Sequence, residues 1–239
     1  MKKLLMLAVQ NAAAPQSVKF ENAGDAANIY LKGVIDEDFG VGAAALRDAF
    51  DQAGGKPVNL YINSPGGSIF EGREMQGVIA GYSGEVTAII QGMAASAATW
   101  VSMAASKVQM VQGSRYMIHN GMGGAFGGKA DLRATADVLD AFDVELAQEY
   151  AARTKSTPEA MATFMDAETW FTAEQALEQG FVDEILPNTQ NKAIAQAWNL
   201  SAYANAPAAE EPKQPESDLA ALAAAQTQRN RNRLRLFQI

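Results

Sequence analysis

The segment VNLYIN (58–63) runs straight into SPGG (64–67) and then into a stretch opened by Ser68, with Glu71 three residues on. A β-branched and aromatic run, a Pro-Gly turn and an N-cap signature in that order specify a strand followed by a helix. The pattern recurs. NIYLKGVI (28–35) reads as a strand and residues 42–52 as a helix, with Ala45, Leu46, Ala49 and Phe50 on one side. Residues 68–82 form the helix after SPGG. EVTAIIQ (85–91) is the next strand, and the alanine-rich 93–105 a buried helix. Short strands follow at 107–111 and 115–119. Alternating strands and helices with short connections predict an α/β fold on a mostly parallel sheet.

Residues 129–153 carry Leu132, Ala136, Leu139, Phe142, Leu146 and Tyr150 at three- and four-residue steps, which predicts a long amphipathic helix. A short helix begins at Thr157–Pro158, and another covers 173–179 before Gly180. The character changes near Pro187. Residues 206–228 are rich in Ala, Pro, Glu and Gln, and the chain ends RNRNRLRLFQI. The chain therefore divides into an N-terminal extension (1–27), a folded domain (28–186) and a low-complexity tail (187–239) expected to be disordered. The alternating arginines suit a solvated tail, a docking peptide or a processing site. At the other end, MKKLLMLAVQNAAAPQ has the layout of a short signal peptide, but its apolar run is marginal for that role and too short to span a membrane.

Charge and composition narrow the chemistry. Residues 187–239 carry six basic and four acidic side chains, which leaves −10 on the first 186 residues of a chain whose formal charge is −8. Such a body is poorly suited to nucleic acid, whose phosphates require clustered Lys and Arg. There is no cysteine and one histidine. Disulfides, cysteine nucleophiles and thiolate metal sites are excluded, and no metal or other cofactor is expected. Proton transfer near neutral pH falls on His119 or on a shifted carboxylate.

Three motifs carry the chemistry. The strand at 85–91 leads into GMAASAA, which puts Ser96 at the start of an apolar helix among small neighbours. Unpaired N–H groups and the positive helix end favour a developing oxyanion there. The layout resembles a nucleophile elbow, although small residues before a buried helix also serve plain packing. SPGG lies at the carboxyl end of the preceding strand, the edge at which α/β sheets bind ligands. It is either an ordinary turn or the source of a second oxyanion donor. YMIHN places His119 at the end of an apolar strand, just before the glycine-rich GMGGAFGG (121–128). A histidine there can be structural or a general base. Residues 123–130 nearly spell a P-loop, but Ala130 replaces the hydroxyl residue, so nucleotide binding is not expected.

SPGG, GMAAS and MIH in this order resemble the Clp protease proteolytic subunit family. The similarity extends over about residues 28–186, including WFTAEQALEQGFVD (170–183). The wording of NSPGGSIFEG and MDAETWFTAEQA resembles the Clp-like head maturation proteases of tailed phages. The resemblance implies a crotonase-like Clp fold of repeated β-β-α units with a handle strand and helix. It implies a serine endopeptidase with Ser96 as nucleophile, His119 as base, and oxyanion N–H groups from Gly67 and Ala97. The third member falls on Glu168, with Asp166 as the alternative, both taken as lying on one extended segment. The stretch with Gly121, Gly123, Gly124 and Ala125 would pair with substrate as an added strand. The family implies homo-oligomeric rings, heptameric or stacked, and the phage likeness implies capsid or scaffold substrates. The location implied is the bacterial host cytoplasm or the procapsid; if ATP matters, a separate unfoldase would bring it. Three alternatives remain open at this level: a crotonase-like acyl-CoA hydratase or hydrolase, an inactive assembly or scaffold component, and a Ser–Lys dyad using Lys107 or Lys129.

Overall fold

The computed structural model describes residues 2–189 and 198–207. Helix α1 (Lys2–Asn11) precedes a hairpin of β1 (Ser17–Ala23) and β2 (Ala26–Lys32). The two strands pair antiparallel, from Ser17 opposite Lys32 to Ala23 opposite Ala26. Strand β1 escapes a sequence reading because its side chains are only partly buried, so the apolar period is faint. Then come α2 (Ala43–Ala53), β3 (Val58–Ser64), α3 (Ile69–Ala80), β4 (Val86–Ala95), α4 (Ala97–Met103), β5 (Lys107–Val111) and β6 (Arg115–Ile118). The chain continues through α5 (Lys129–Thr154), α6 (Pro158–Asp166), β7 (Thr169–Phe171), α7 (Ala173–Glu178) and β8 (Glu184–Leu186).

The sheet runs β1-β2-β3-β4-β5-β8, with β6 joined to β4 and β7 to β6. From β2 to β8 the main path is parallel. Alternate residues of the central strands (Ile29 and Leu31, Leu60 and Ile62, Ala88 and Ile90) are fully buried in one core with Leu46, Phe50, Met75 and Trp100 from the helices. That alternation is the period-2 signature of strands, and removing this apolar area from water is the main stabilising term.

Two elements differ locally from the sequence expectation. Residues 93–95 belong to a strand, not to the following helix. Strand β4 pairs with β5 through Ile90, then with β6 from Met93 to Ala95. Gly92, at φ 112, makes the change of partner, and a Cβ there would lie 2.8 Å from the Asn63 side chain. The capping box at α3 is only half made. Ser68 Oγ accepts the Glu71 N–H, but the Glu71 carboxylate accepts the Ala43 N–H at 2.7 Å. It thereby caps α2, whose N-cap is Gly42 and supplies no side chain.

Helix α5 is buried only along its second half, at Leu146, Ala147, Tyr150 and Ala151. Leu132, which belonged to the expected buried stripe, is 51% exposed, and Val138 and Val144 are exposed too. At the α5 start, the Gly128 N–H donates to the Asp131 carboxylate. An acidic group thus occupies the position a P-loop reserves for phosphate.

The sheet has a second cluster on its other side, where Val34, Met93, Ala95 and Met117 alternate with core residues. They pack against Leu7 and Ala8 of α1 and against Trp198, Leu200, Ala202 and Tyr203. The expected tail boundary at 187 is therefore not the end of the packed chain, because two aromatic rings after it are buried. The terminal arginines lie outside the described residues. Among the described residues no helix is long and apolar enough to cross a membrane.

Candidate active site

Ser96 sits between the last residue of β4 and the first of α4, at φ 53 and ψ −125. A side-chain-bearing residue on the positive-φ side costs about 1–3 kcal/mol and persists only where its surroundings impose it. Here the Ser96 N–H donates to the Met117 carbonyl at 2.9 Å, and the Ser96 carbonyl accepts the Thr99 N–H at 2.9 Å. The Thr99 hydroxyl also bonds the Ser96 carbonyl, at 2.6 Å, and lies 2.6 Å from the Tyr150 hydroxyl of α5. Burial pushes the Tyr150 hydroxyl pKa far up, so it stays a neutral partner. Tyr116, beside it, is pushed up to about 12 for the same reason. The strained elbow is thus held from β6 and, through Thr99, from α5.

His119 follows one residue after β6 ends. Ala95 pairs with Met117, so the two strand ends leave the sheet side by side. The result is a contact of 2.8 Å between His119 Nε2 and Ser96 Oγ. For Nε2 to accept the hydroxyl proton, the ring must carry its own proton at Nδ1. Both residues are half-buried.

The SPGG turn arrives from the neighbouring strand. Gly66 and Gly67 are locked to Ile35, whose N–H donates to the Gly66 carbonyl and whose carbonyl accepts the Ser68 N–H. A Cβ on Gly67 would lie 2.1 Å from the Ile35 oxygen. On Gly66 it would lie 2.4 Å from the Ala95 oxygen and 3.2 Å from the Ala97 nitrogen. Only glycine fits, and at Gly66 the fit brings the backbone against the Ser96–Ala97 turn. The Ala97 N–H is the first of α4, one of the donors a helix cannot use internally.

The two carboxylates are placed differently from the extended segment expected for them. Asp166 closes α6, and Glu168 follows at φ 46, so they do not alternate along a strand. Asp166 accepts the Asn120 side-chain amide at 2.7 Å. Glu168 accepts the backbone N–H groups of Ala204 at 2.9 Å and Asn205 at 2.6 Å, and the Trp170 indole at 3.4 Å. The loop 121–128 forms no strand. Its Gly121 N–H donates to Asp143 at 2.6 Å. A Cβ on Gly121 or Gly123 would lie 3.5 or 3.3 Å from Leu139, while Gly124 is exposed and Ala125 half-buried. Lys107 bonds Glu184 at 2.5 Å, and Lys129 opens α5.

No sequence motif marks Tyr203. Its ring meets His119 edge-on at 5.4 Å and Trp170 at 5.7 Å. The only sequence signal is the pair Trp198 and Tyr203 in an otherwise alanine-rich stretch.

A family model described as Clp protease matches residues 23–189. The ATP-dependent Clp protease proteolytic subunit of Bacteroides fragilis is 36% identical over 134 residues, 55% of this chain and 65% of that protein. The chain thus spans less than two thirds of that relative's length. The namesake from Streptococcus thermophilus is 32% identical over 171 residues, covering 69% of this chain and 86% of its own. A solved ClpP1 mutant from Listeria monocytogenes superposes with a TM-score of 0.61 at 22% identity, over 68% of this chain and 92% of its own, and so shares the fold.

Proposed function

The chain belongs to the Clp protease family, and on that premise we propose that it is a serine-type endopeptidase. The observation that carries the reading is the 2.8 Å contact between His119 Nε2 and Ser96 Oγ at a strained strand-to-helix turn. In the proposed reaction Ser96 Oγ attacks a peptide carbonyl while Nε2 takes its proton. The N–H groups of Gly67 and Ala97 receive the oxyanion, a contribution of roughly 3 kcal/mol per donor. The imidazolium gives its proton to the leaving amine, and water then releases the acyl group by the same route in reverse. Glu168 is the proposed orienter of Nδ1, with Asp166 as the alternative.

A substrate strand would run along Gly121, Gly123, Gly124 and Ala125. Main-chain pairing would supply affinity without demanding a sequence. The exposed apolar residues Leu132, Val138 and Val144 of α5 favour association with further copies, in rings or stacked rings. On the phage resemblance, the natural substrates would be capsid or scaffold proteins during head maturation, acted on in the host cytoplasm or the procapsid. No cofactor enters the reaction.

The test is labelling with a serine-directed fluorophosphonate. Wild-type chain should label at one site, and Ser96→Ala and His119→Ala should not. Wild type and Ser96→Ala labelling alike would refute the role of Ser96. Glu168→Gln should slow labelling far more than Asp166→Asn; the opposite order would move the orienting role to Asp166. Coexpression with a candidate capsid protein tests the substrate class, with cleavage expected from wild type and not from Ser96→Ala.

A further inference from the structure

Residues 198–207 (WNLSAYANAP) lie on the Ser96–His119 site, and they are held as a peptide ligand is held. The Tyr203 ring is buried, with 6% of its surface exposed, between His119 and Trp170. Its hydroxyl donates to the Pro65 carbonyl at 2.5 Å, in the SPGG turn. The backbone on its far side is read too. Both carboxylate oxygens of Glu168 accept successive N–H groups, of Ala204 and Asn205. The Asn205 amide donates to the Ala167 carbonyl, and the Trp198 indole to Asn63.

The segment is fastened again away from the chemistry. Asn11, buried at the end of α1, accepts the Asn199 N–H at 2.7 Å and donates to the Asn199 carbonyl at 3.0 Å. That reciprocal pair imitates one rung of a strand ladder. Ser201 donates to Gln10 at 2.7 Å.

We infer that the space between His119, Trp170 and Pro65 is a subsite for an aromatic side chain of a peptide, and that Tyr203 is its resident occupant, which a substrate must displace. The inference deepens the serine-peptidase reading and rests on it for the word substrate. Ser96 Oγ must touch the acyl carbon of any peptide it cleaves, and a ring set against the His119 imidazole and bonded to the SPGG turn occupies space beside that hydroxyl. The subsite is flat-walled, aromatic on two sides and closed by a carbonyl acceptor. A phenol satisfies all of it, whereas an aliphatic side chain would leave the Pro65 carbonyl without that donor. A tethered segment presents itself at about millimolar effective concentration, so modest intrinsic affinity keeps the site filled.

The test uses the full chain as wild type, Tyr203→Ala and Asn11→Ala, the last touching neither Ser96 nor His119. Two quantities are read: the rate of fluorophosphonate labelling, and the binding of a fluorescent synthetic peptide with the sequence of residues 198–207. If the segment holds the site nine-tenths of the time, its loosening should raise the labelling rate about tenfold in both variants. The peptide should bind Tyr203→Ala about tenfold more tightly than wild type, and a peptide with alanine for its tyrosine should not bind. Measurable labelling at equal rates in the three chains, or peptide binding that is equal in all or absent from all, would overturn the inference. If the peptide behaves as stated while no chain is labelled, the subsite stands and the serine-peptidase reading falls.

Discussion

The Ser96 N–H donates to the Met117 carbonyl at 2.9 Å. That bond extends the ladder Met93–Arg115, Ala94–Tyr116 and Ala95–Met117, which sets the register between the strand carrying Ser96 and the strand leading to His119. Two residues past Met117, the imidazole is within 2.8 Å of the hydroxyl. The motif order in the chain says nothing about this distance; strand pairing does.

Thr99 joins the elbow to α5, so removing its hydroxyl should loosen Ser96. Thr99→Val strands the buried Tyr150 hydroxyl and should cost about 2–3 kcal/mol, against about 1 for Tyr150→Phe, which leaves Thr99 bonded to the Ser96 carbonyl. Denaturant unfolding of both variants measures this; equal stability of Thr99→Val and wild type would show that the tie carries no weight.

Two glycine substitutions should act in opposite directions. Gly66→Ala places a methyl 2.4 Å from the Ala95 oxygen at a positive φ, and should abolish both folding yield and probe labelling. At Gly77, inside α3, a methyl would meet no atom within 4 Å. Gly77→Ala should therefore stabilise the chain by about 0.5–1 kcal/mol, through helix propensity alone. Thermal unfolding distinguishes the pair.

Asp143 provides a pH signature. Burial raises its pKa from the ordinary 3.8, ahead of the Gly121 N–H that lowers it, and Asp140 and Asp166 raise it further. The folded chain therefore binds the proton more readily than the unfolded one. This group's contribution favours folding as pH falls through its raised pKa, and opposes it above. Asp143→Asn keeps an oxygen for Gly121 and loses the charge. It should be more stable than wild type at pH 7, with the gap closing as pH falls through the raised pKa toward 3.8. A constant gap across that range, in parallel denaturation series, would contradict the assignment.

The exposed apolar positions on α5 should matter to assembly and not to the fold of one subunit. A Leu132→Glu, Val138→Glu, Val144→Glu variant alters side chains that are all more than half exposed. Its circular dichroism should match wild type, while light scattering should report a smaller particle. An unchanged mass would remove this face from the interface.

Local pattern alone determined much of the molecule. Period-2 burial in VNLYIN, the Thr157–Pro158 helix start and the Gly180 stop are set by neighbours in the chain, so they are legible there. Ser96, His119 and SPGG were legible as candidates because each falls at a strand end. What tertiary structure decided is the rest. Residues 93–95 became strand because β6 offered them partners, overriding alanine's preference for helix. Asp166 and Glu168 were separated by the end of α6 and a left-handed residue, which spacing cannot reveal. Tyr203 reached His119 across 84 positions of sequence. Its burial depends on a space framed by Pro65, His119 and Trp170, and no local pattern encodes the shape of a space made elsewhere in the chain.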